Sequence, residues 1–283
     1  MPPANEQSAD PRAATTRILR WKQGALGQPA DDLLAREEPL EIRVKGESVA
    51  VTMRTPGHDE ELALGFLLSE GVIAGANDVL EVAPCQQGEA ALLGNVLNVF
   101  LAPGVEIDLA RLKRNVYASS SCGLCGKASI ESVHGHFEPL AKREPLITAE
   151  TLLQLPTKLR SEQETFDKTG GLHAAGLFDA EGNLLTLRED VGRHNAVDKA
   201  FGRSMLDGDF PLENHVLMVS GRASFEILQK ALAGRVGVIC AVSAPSSLAV
   251  EFARESGQTL VGFLRGDTFN VYTHPERITR LVS

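Results

Sequence analysis

Two cysteines three positions apart, in Ser119-Ser120-Ser121-Cys122-Gly123-Leu124-Cys125-Gly126-Lys127, are the residues of this sequence best suited to covalent chemistry. The serines and glycines leave a small loop that a bulky partner can reach. An apparent helix from Ala128 to Val133 follows, so helix amides and Lys127 favour the anionic sulfur and lower the thiol pKa. A reactive, accessible thiolate is the chemistry implied. Three other readings compete. A structural zinc knuckle needs four ligands and usually a second cysteine pair, whereas Cys85 and Cys240 stand alone. A thioredoxin-like dithiol belongs just after the first strand of a βαβ unit, not in mid-chain. A zinc deaminase would use His58-Asp59-Glu60, a His-x-Glu triplet ahead of the Cys-x-x-Cys, but Ser121 stands where that signature has proline. His58 also begins an otherwise apolar helix, where a histidine more often caps or meets water. No bound metal is expected.

A second group of polar residues recurs where strands give way to helices. It comprises Arg188-Glu189-Asp190 with Gly192-Arg193-His194-Asn195, then Ser220-Gly221-Arg222, Ser243-Ala244-Pro245-Ser246 and Arg265-Gly266-Asp267. The commoner fate of Arg188, Arg193, His194 and Arg222 would be surface pairing with Glu189, Asp190 and Asp198. Convergence favours a site: three strand ends each supply an arginine, and two lead into helix amino termini whose free amides suit phosphate oxygens. A phosphate-bearing cofactor is implied, unnamed by spacing alone. Thr169-Gly170-Gly171-Leu172-His173 is either a turn with a core histidine or a close backbone approach to a ligand.

The elements that must hold these residues follow from periodicity. Residues 1–15 lack apolar periodicity and read as a mobile tail. Leu40, Ile42 and Val44, then Val49, Val51 and Met53 after a Lys45-Gly46-Glu47 turn, alternate as a hairpin. A buried helix follows over Leu62 to Leu68, led by Asp59-Glu60-Glu61 and stopped at Gly71, and another strand over Asn95 to Leu101. Residues 16–112 thus read as a small α+β domain, and 113–283 as an α/β domain carrying the Cys-x-x-Cys loop and the cofactor pocket. In that second part strands at Leu184–Leu187, His215–Ser220, Val236–Ser243, Thr259–Arg265 and Asn270–Thr273 alternate with helices at Asn195–Phe201, Ser224–Ala233 and Ser247–Glu255. The expectation is a mostly parallel sheet covered on both faces, with ligands beyond its carboxyl edge.

Composition sets outer bounds. With 283 residues, 43% hydrophobic and 23% charged, the chain is an ordinary globular protein of roughly two domains. A net charge of −9 argues against a nucleic-acid partner. The uncharged stretch Val236 to Val250 is broken by Pro245 and is too short to span a bilayer, so no membrane crossing is expected. The amino terminus has no apolar signal region, which leaves the cytoplasm as the expected compartment.

With these motifs in view, the sequence resembles the formate dehydrogenase accessory sulfurtransferases (FdhD). The likeness runs from about Pro39 to the C-terminus through Met53–Gly57, the helix at Glu61–Gly71, SCGLCGKASIE at Ser121–Glu131, and TGGLHAAGLF at Thr169–Phe178. It continues through REDVGRHNAVDK at Arg188–Lys199, VSGRASFEI at Val219–Ile227, AVSAPSSLAVE at Ala241–Glu251, and GFLR at Gly262–Arg265. The resemblance implies a cytidine-deaminase-like, three-layer α/β core without deaminase chemistry, beside the smaller N-terminal α+β domain. It implies a sulfurtransferase that takes a persulfide sulfur from a cysteine desulfurase and passes it to the molybdenum or tungsten of a bis-guanine-dinucleotide molybdopterin cofactor for formate dehydrogenase. Cys122 then matches the persulfide-bearing cysteine, Cys125 the second thiol, and Phe263, Leu264, Arg265, Gly266, Asp267 and Thr268 the cofactor-binding segment. Arg188, Arg193, His194, Ser220 and Arg222 complete the expected pocket. The Mo-bis(molybdopterin guanine dinucleotide) is a bound substrate, the protein partners are the desulfurase and apo formate dehydrogenase, and the expected assembly is a homodimer. A cofactor carrier without sulfur chemistry is the alternative, and it would have no use for a low-pKa thiol.

Overall fold

The computed structural model describes residues 10–86, 94–107, 137–141 and 145–281. Strands β1 (Ala13–Lys22) and β2 (Ala25–Ala35) open the chain as an antiparallel ribbon that the sequence reading had not anticipated. Its side chains are mostly exposed, Leu19, Trp21 and Leu26 among them, so the usual inward apolar alternation is missing. That is why periodicity did not reveal it, and why the tail was drawn past Ala13.

β3 (Glu38–Val44) and β4 (Glu47–Arg54) form the expected hairpin, closed by Lys45 and Gly46, both at positive φ (52° and 79°) as a two-residue turn requires. The register shifts between Ile42 and Arg43, and this irregularity reverses the second strand's faces. Val49 and Ala50 are both buried, whereas Val51 and Met53 are 64% and 48% exposed instead of lying on the core face with Val49. Helix α1 (Asp59–Ser69) follows, then β5 (Val79–Pro84) and β6 (Val96–Leu101), completing a four-stranded sheet of order β4-β3-β6-β5.

The remainder is β7 (Ile147–Thr148), α2 (Ala149–Ser161), α3 (Glu164–Thr169), β8 (His173–Phe178), β9 (Leu184–Asp190), α4 (Arg193–Leu206), β10 (Val216–Val219), α5 (Phe225–Ala233), β11 (Val238–Ala241), α6 (Ser247–Glu255), β12 (Thr259–Arg265), β13 (Thr268–Thr273) and β14 (Ile278–Thr279). A six-stranded sheet runs β13-β12-β11-β10-β8-β9. Only β10-β11 and β11-β12 pair in parallel, each joined by a crossover helix; β9 and β10 are also joined through a helix, α4, and run the same way, but β8 lies between them. The pairs β8-β9, β8-β10 and β12-β13 are antiparallel, so the sheet is mixed rather than mostly parallel. Coverage of both faces holds. Ala175, Leu177, Leu217, Val219, Ile239 and Ala241 enter the core shared with α1, α4, α5 and α6. Their neighbours Ala174, Phe178, Val216, Met218, Val238 and Cys240 face Leu152, Leu155 and Leu159 of α2. Double burial explains why β10 and β11 read as unbroken apolar runs, VLMV and VICA.

α1 and α4 cross at backbone distance. A β-carbon at Gly65 would stand 1.8 Å from the Asp198 carbonyl oxygen, and one at Gly202 would stand 1.9 Å from that of Glu61. The same core cluster runs on to Leu40, Ile42, Val44 and Val99 of the four-stranded sheet.

Candidate functional site at the carboxyl edge of the sheet

Because β8 runs against both β9 and β10, while β10, β11 and β12 run together, β9 to β12 all end at one edge, where β8 begins. The loops at that edge are sewn together through the backbone. Ser220 N–H donates to the Ala174 carbonyl (3.0 Å) and its hydroxyl accepts from Ala174 N–H (2.9 Å). Ser246 N–H reaches the Ala223 carbonyl (3.0 Å), and Phe263 N–H the Ser243 carbonyl (3.1 Å). Segments 190–194, 220–224, 243–246 and 263–268 therefore form one continuous rim.

The expected site residues divide within this frame. Arg188 is not free for a ligand: its guanidinium grips Glu61 of α1 at 2.5 and 2.7 Å, with Glu61, not Glu189, Asp190 or Asp198, as its partner. Burial alone would raise the Glu61 pKa, but Arg188 and His58 more than offset it, and the carboxyl lies at about 2. Glu189 instead accepts from the Thr165 and Phe166 amides at the start of α3. Asp190 and Lys199 form a buried pair at 2.7 Å. Asp190 also accepts from Thr55 N–H, and Lys199 donates to the Thr55 carbonyl, which pins the segment after β4 onto the β9–α4 turn. Burial pushes the Lys199 pKa down despite Asp190. Asp198 holds Lys230 and Ser69.

Arg193 opens α4 and donates through Nε to His194 Nε2 at 3.3 Å. His194 in turn meets Glu226 (2.8 Å) and the Ser224 hydroxyl (3.2 Å), and that contact with His194 holds the Glu226 carboxyl below its ordinary range. Arg222, two residues before the amino-terminal cap of α5, is exposed. Among the described residues neither Arg222 nor Arg265 forms an ion pair.

In the β12–β13 hairpin, Phe263 adopts φ 52°, a left-handed conformation costly for a side chain with a β-carbon, at the irregularity between Gly262 and Arg265. The Arg265 guanidinium lies 5.7 Å from the Phe263 ring centre. Arg265, Gly266, Asp267 and Thr268 are exposed, whereas the Leu264 side chain is wholly buried in the core on the α2 face. Leu264 is therefore core, with only its backbone at the rim. β10 and β12 are two strands apart, about 10 Å between strand axes, and Arg222 and Arg265 belong to the segments at their ends.

Cys122 and Cys125, with the expected helix Ala128–Val133, lie outside the described residues. The other thiols are separate from the rim: Cys240 is fully buried, its pKa driven far upward by burial, and Cys85 follows β5. The His58-Asp59-Glu60 triplet does not converge: His58 leans on Glu61 (3.4 Å), Asp59 binds Arg54 (2.9 Å), and Glu60 is exposed. Among the described residues no cluster of His, Cys, Asp and Glu is arranged to hold a metal ion. A groove of about 830 Å³, lined by Leu68, Ile73, Asp78, Met205, Phe210 and Arg235, lies toward the other end of α4. Met205 is twelve residues from Arg193, about 18 Å along the helix, so this groove is no part of the rim.

His173, which the sequence left open between a turn histidine and a close approach to a ligand, opens β8, half-buried, beside the Ser220–Arg222 loop. Sequence reasoning missed the seam of Thr55, Asn195 and Lys199, whose partners lie more than 130 residues away along the chain or inside α4.

Mixed α/β layers with a loop-built polar rim define the structural class. Residues 35–279 match the FdhD/NarQ family, and the chain belongs to it. A protein of Streptomyces coelicolor named sulfur carrier protein FdhD is 52% identical over 266 residues, covering 93% of this chain and 94% of its own. One of the same name from Mycobacterium tuberculosis is 54% identical over 255 residues, covering 88% and 92%. A crystal structure from Desulfotalea psychrophila, described as that of a formate dehydrogenase accessory protein, superposes with a TM-score of 0.73 at 26% identity, covering 95% of this chain and all of that one. No helix among the described residues is long and apolar enough to cross a membrane.

Proposed function

We propose that this chain is a sulfur carrier that serves formate dehydrogenase, receiving sulfur as a persulfide on Cys122 and delivering it to a molybdenum or tungsten bis-guanine-dinucleotide cofactor held at the strand-end rim. Family membership with relatives named sulfur carrier proteins is the observation that carries this reading. In the first step the Cys122 thiolate attacks the outer sulfur of a cysteine desulfurase persulfide. One S–S bond forms, the other breaks, and the donor cysteine leaves as its thiolate. In the second, Cys125 attacks the inner sulfur of the Cys122 persulfide. The two thiols close to a disulfide, supplying the two electrons with which sulfur departs as sulfide toward the metal.

The rim residues suit the cargo's phosphates. Arg222 and Arg265 are exposed and free of ion pairs among the described residues, Arg193 starts a helix, Gly266 has open space where a side chain would stand, and Ser220 shapes the rim by its two bonds to Ala174. In this reading Asp267 and Thr268 meet a guanine edge, and the Phe263 ring, 5.7 Å from the Arg265 guanidinium, steadies that arginine. In this reading the core is cytidine-deaminase-like and the protein works in the cytoplasm as a homodimer, for which the exposed Leu19, Trp21 and Leu26 of the β1–β2 ribbon offer apolar surface.

Mass spectrometry after incubation with a cysteine desulfurase and cysteine tests the sulfur chemistry. One added sulfur atom is expected on the wild type and none on Cys122→Ala, which should also fail to activate formate dehydrogenase. Sulfur retained on Cys122→Ala but lost from Cys125→Ala would reverse the two roles. No added sulfur on any form would reject the persulfide route.

A further inference from the structure

We propose that the groove at the carboxyl end of α4 is a docking site for a segment of a partner protein that carries large apolar side chains between lysines or arginines. The groove lies about 18 Å along α4 from Arg193, so it stands whether or not the rim holds a nucleotide.

The groove encloses about 830 Å³ where three helices end. Leu68 and Gly71 come from the end of α1, Met205 and Gly208 from the end of α4, and Ala233 and Arg235 from the end of α5. Its floor is apolar: Ile73 and Met205 are buried, and the half-buried Phe210 packs against the same core. Gly75 leaves the wall facing Phe210 without a side chain, and a β-carbon there would stand 3.9 Å from the ring, in ordinary contact. An apolar recess of this size accepts large aliphatic or aromatic side chains.

The charge around that floor selects a cation beside the apolar group. Each of the three helices brings its carboxyl end, the negative pole of its backbone dipole, to the groove. Two lining carboxylates, Asp78 and Glu138, form no ion pair among the described residues, and one Asp78 oxygen accepts from the Ala74 amide (2.6 Å). The lining arginine, Arg235, is held on the Glu138 carbonyl (2.7 Å) and beside Glu213 (4.0 Å). Asp207 and Asp209, just past α4, are matched by Arg203 and His215. The unmatched charge at the groove is thus negative, as the helix ends are. A basic partner segment answers both, whereas an acidic one would meet the same poles with like sign. A free polyamine would answer the charge but not the apolar floor, which a peptide's leucine or phenylalanine fills.

Fluorescence anisotropy of the full chain tests this with a fluorescein-labelled peptide holding a Leu-Phe pair between lysine pairs, against its counterpart with glutamates for the lysines. The lysine peptide should bind, weaken as salt rises from about 0.05 to about 0.5 M, and exceed the glutamate peptide by roughly tenfold or more. Gly75→Leu, at a position of extended backbone (φ 173°), fills the groove beside Phe210 and should weaken the lysine peptide roughly tenfold or more. Asp78→Asn, which keeps an acceptor for the Ala74 amide, and Glu138→Gln should each weaken it about two- to fivefold, and these two decide the matter where Gly75→Leu does not fold. Equal binding of the two peptides, an affinity untouched by folded Gly75→Leu or by both charge variants, or no binding to the wild type would overturn the proposal. Self-association of the wild type that Gly75→Leu abolishes in sedimentation velocity, with the lysine peptide unbound, would make the groove an interface between two copies and overturn it as well.

Discussion

Along the seam between α1 and α4 each charge is answered at short range: Asp190 by Lys199, Asp198 by Lys230, Glu61 by Arg188, all at 2.5 to 2.7 Å. A few residues away, at the carboxyl edge of the same sheet, Arg222 and Arg265 are exposed and have no such partner among the described residues. Residues 188–199 feed both regions. Arg188, Asp190, Asn195 and Lys199 turn inward, and Arg193 and His194 face the rim. A stretch rich in charge is therefore partly scaffold and partly site, and partner saturation separates the two. The seam spends its charges on holding the four-stranded sheet against the six-stranded one.

The sharpest break of this contrast is Lys199→Ala, which strands Asp190 in the core. A loss of about 3–5 kcal/mol in denaturant unfolding is expected, against a change within about 0.5 kcal/mol for Arg265→Ala on the surface. Comparable losses from the two would erase the distinction. Acid unfolding probes the same seam. The folded pKa of Glu61, about 2, lies below its ordinary 4.5, so the stabilisation is complete above pH 4.5 and is lost as the pH falls toward 2. It amounts to about 3 kcal/mol. Glu61→Gln should remove that part of the pH dependence, and a variant whose acid profile overlays the wild type would show that other carboxylates set it. Next in size, Gly202→Ala should cost about 1–3 kcal/mol or more, because its methyl meets the Glu61 backbone rather than a side chain that can turn away. Thermal melts unchanged by that substitution would mean the helices part easily. Smallest in free energy, and confined to the rim, Arg265→Ala should weaken GDP binding about tenfold in calorimetry, with the fold intact. Equal affinity would move the ligand away from the hairpin.

Much of the architecture was legible because it is local. α6 and β12 occupy the spans their apolar spacing marks, Ser247–Glu255 and Thr259–Arg265, and Ser246 caps its helix through the Ala249 amide as a serine there should. The reading failed where local pattern and environment part company. The β1–β2 ribbon has little core to write alternation into its sequence, the irregularity at Ile42–Arg43 turned Val51 and Met53 outward, and β8 is a short, doubly buried run without alternation that was given no element. Of the candidate site, Ser220, Arg222 and the 263–268 hairpin came together at one edge, whereas Arg188 and the Leu264 side chain did not join it.

By itself the sequence determined the strand and helix order from Leu184 to Thr273, the rim loops as places where polar residues gather, and the paired thiols of Cys122 and Cys125. Those properties depend on neighbours within a few positions: side-chain alternation, helix period, caps and turns. Which arginines would be consumed in ion pairs, as Arg188 is, and which would have none among the described residues was decided by tertiary structure alone. Glu61 meets Arg188 across 127 residues, and Thr55 meets Asp190 across 135. No spacing rule encodes such contacts, because an ion pair depends on distance and burial in the folded chain, and both arise only when α1 settles onto α4.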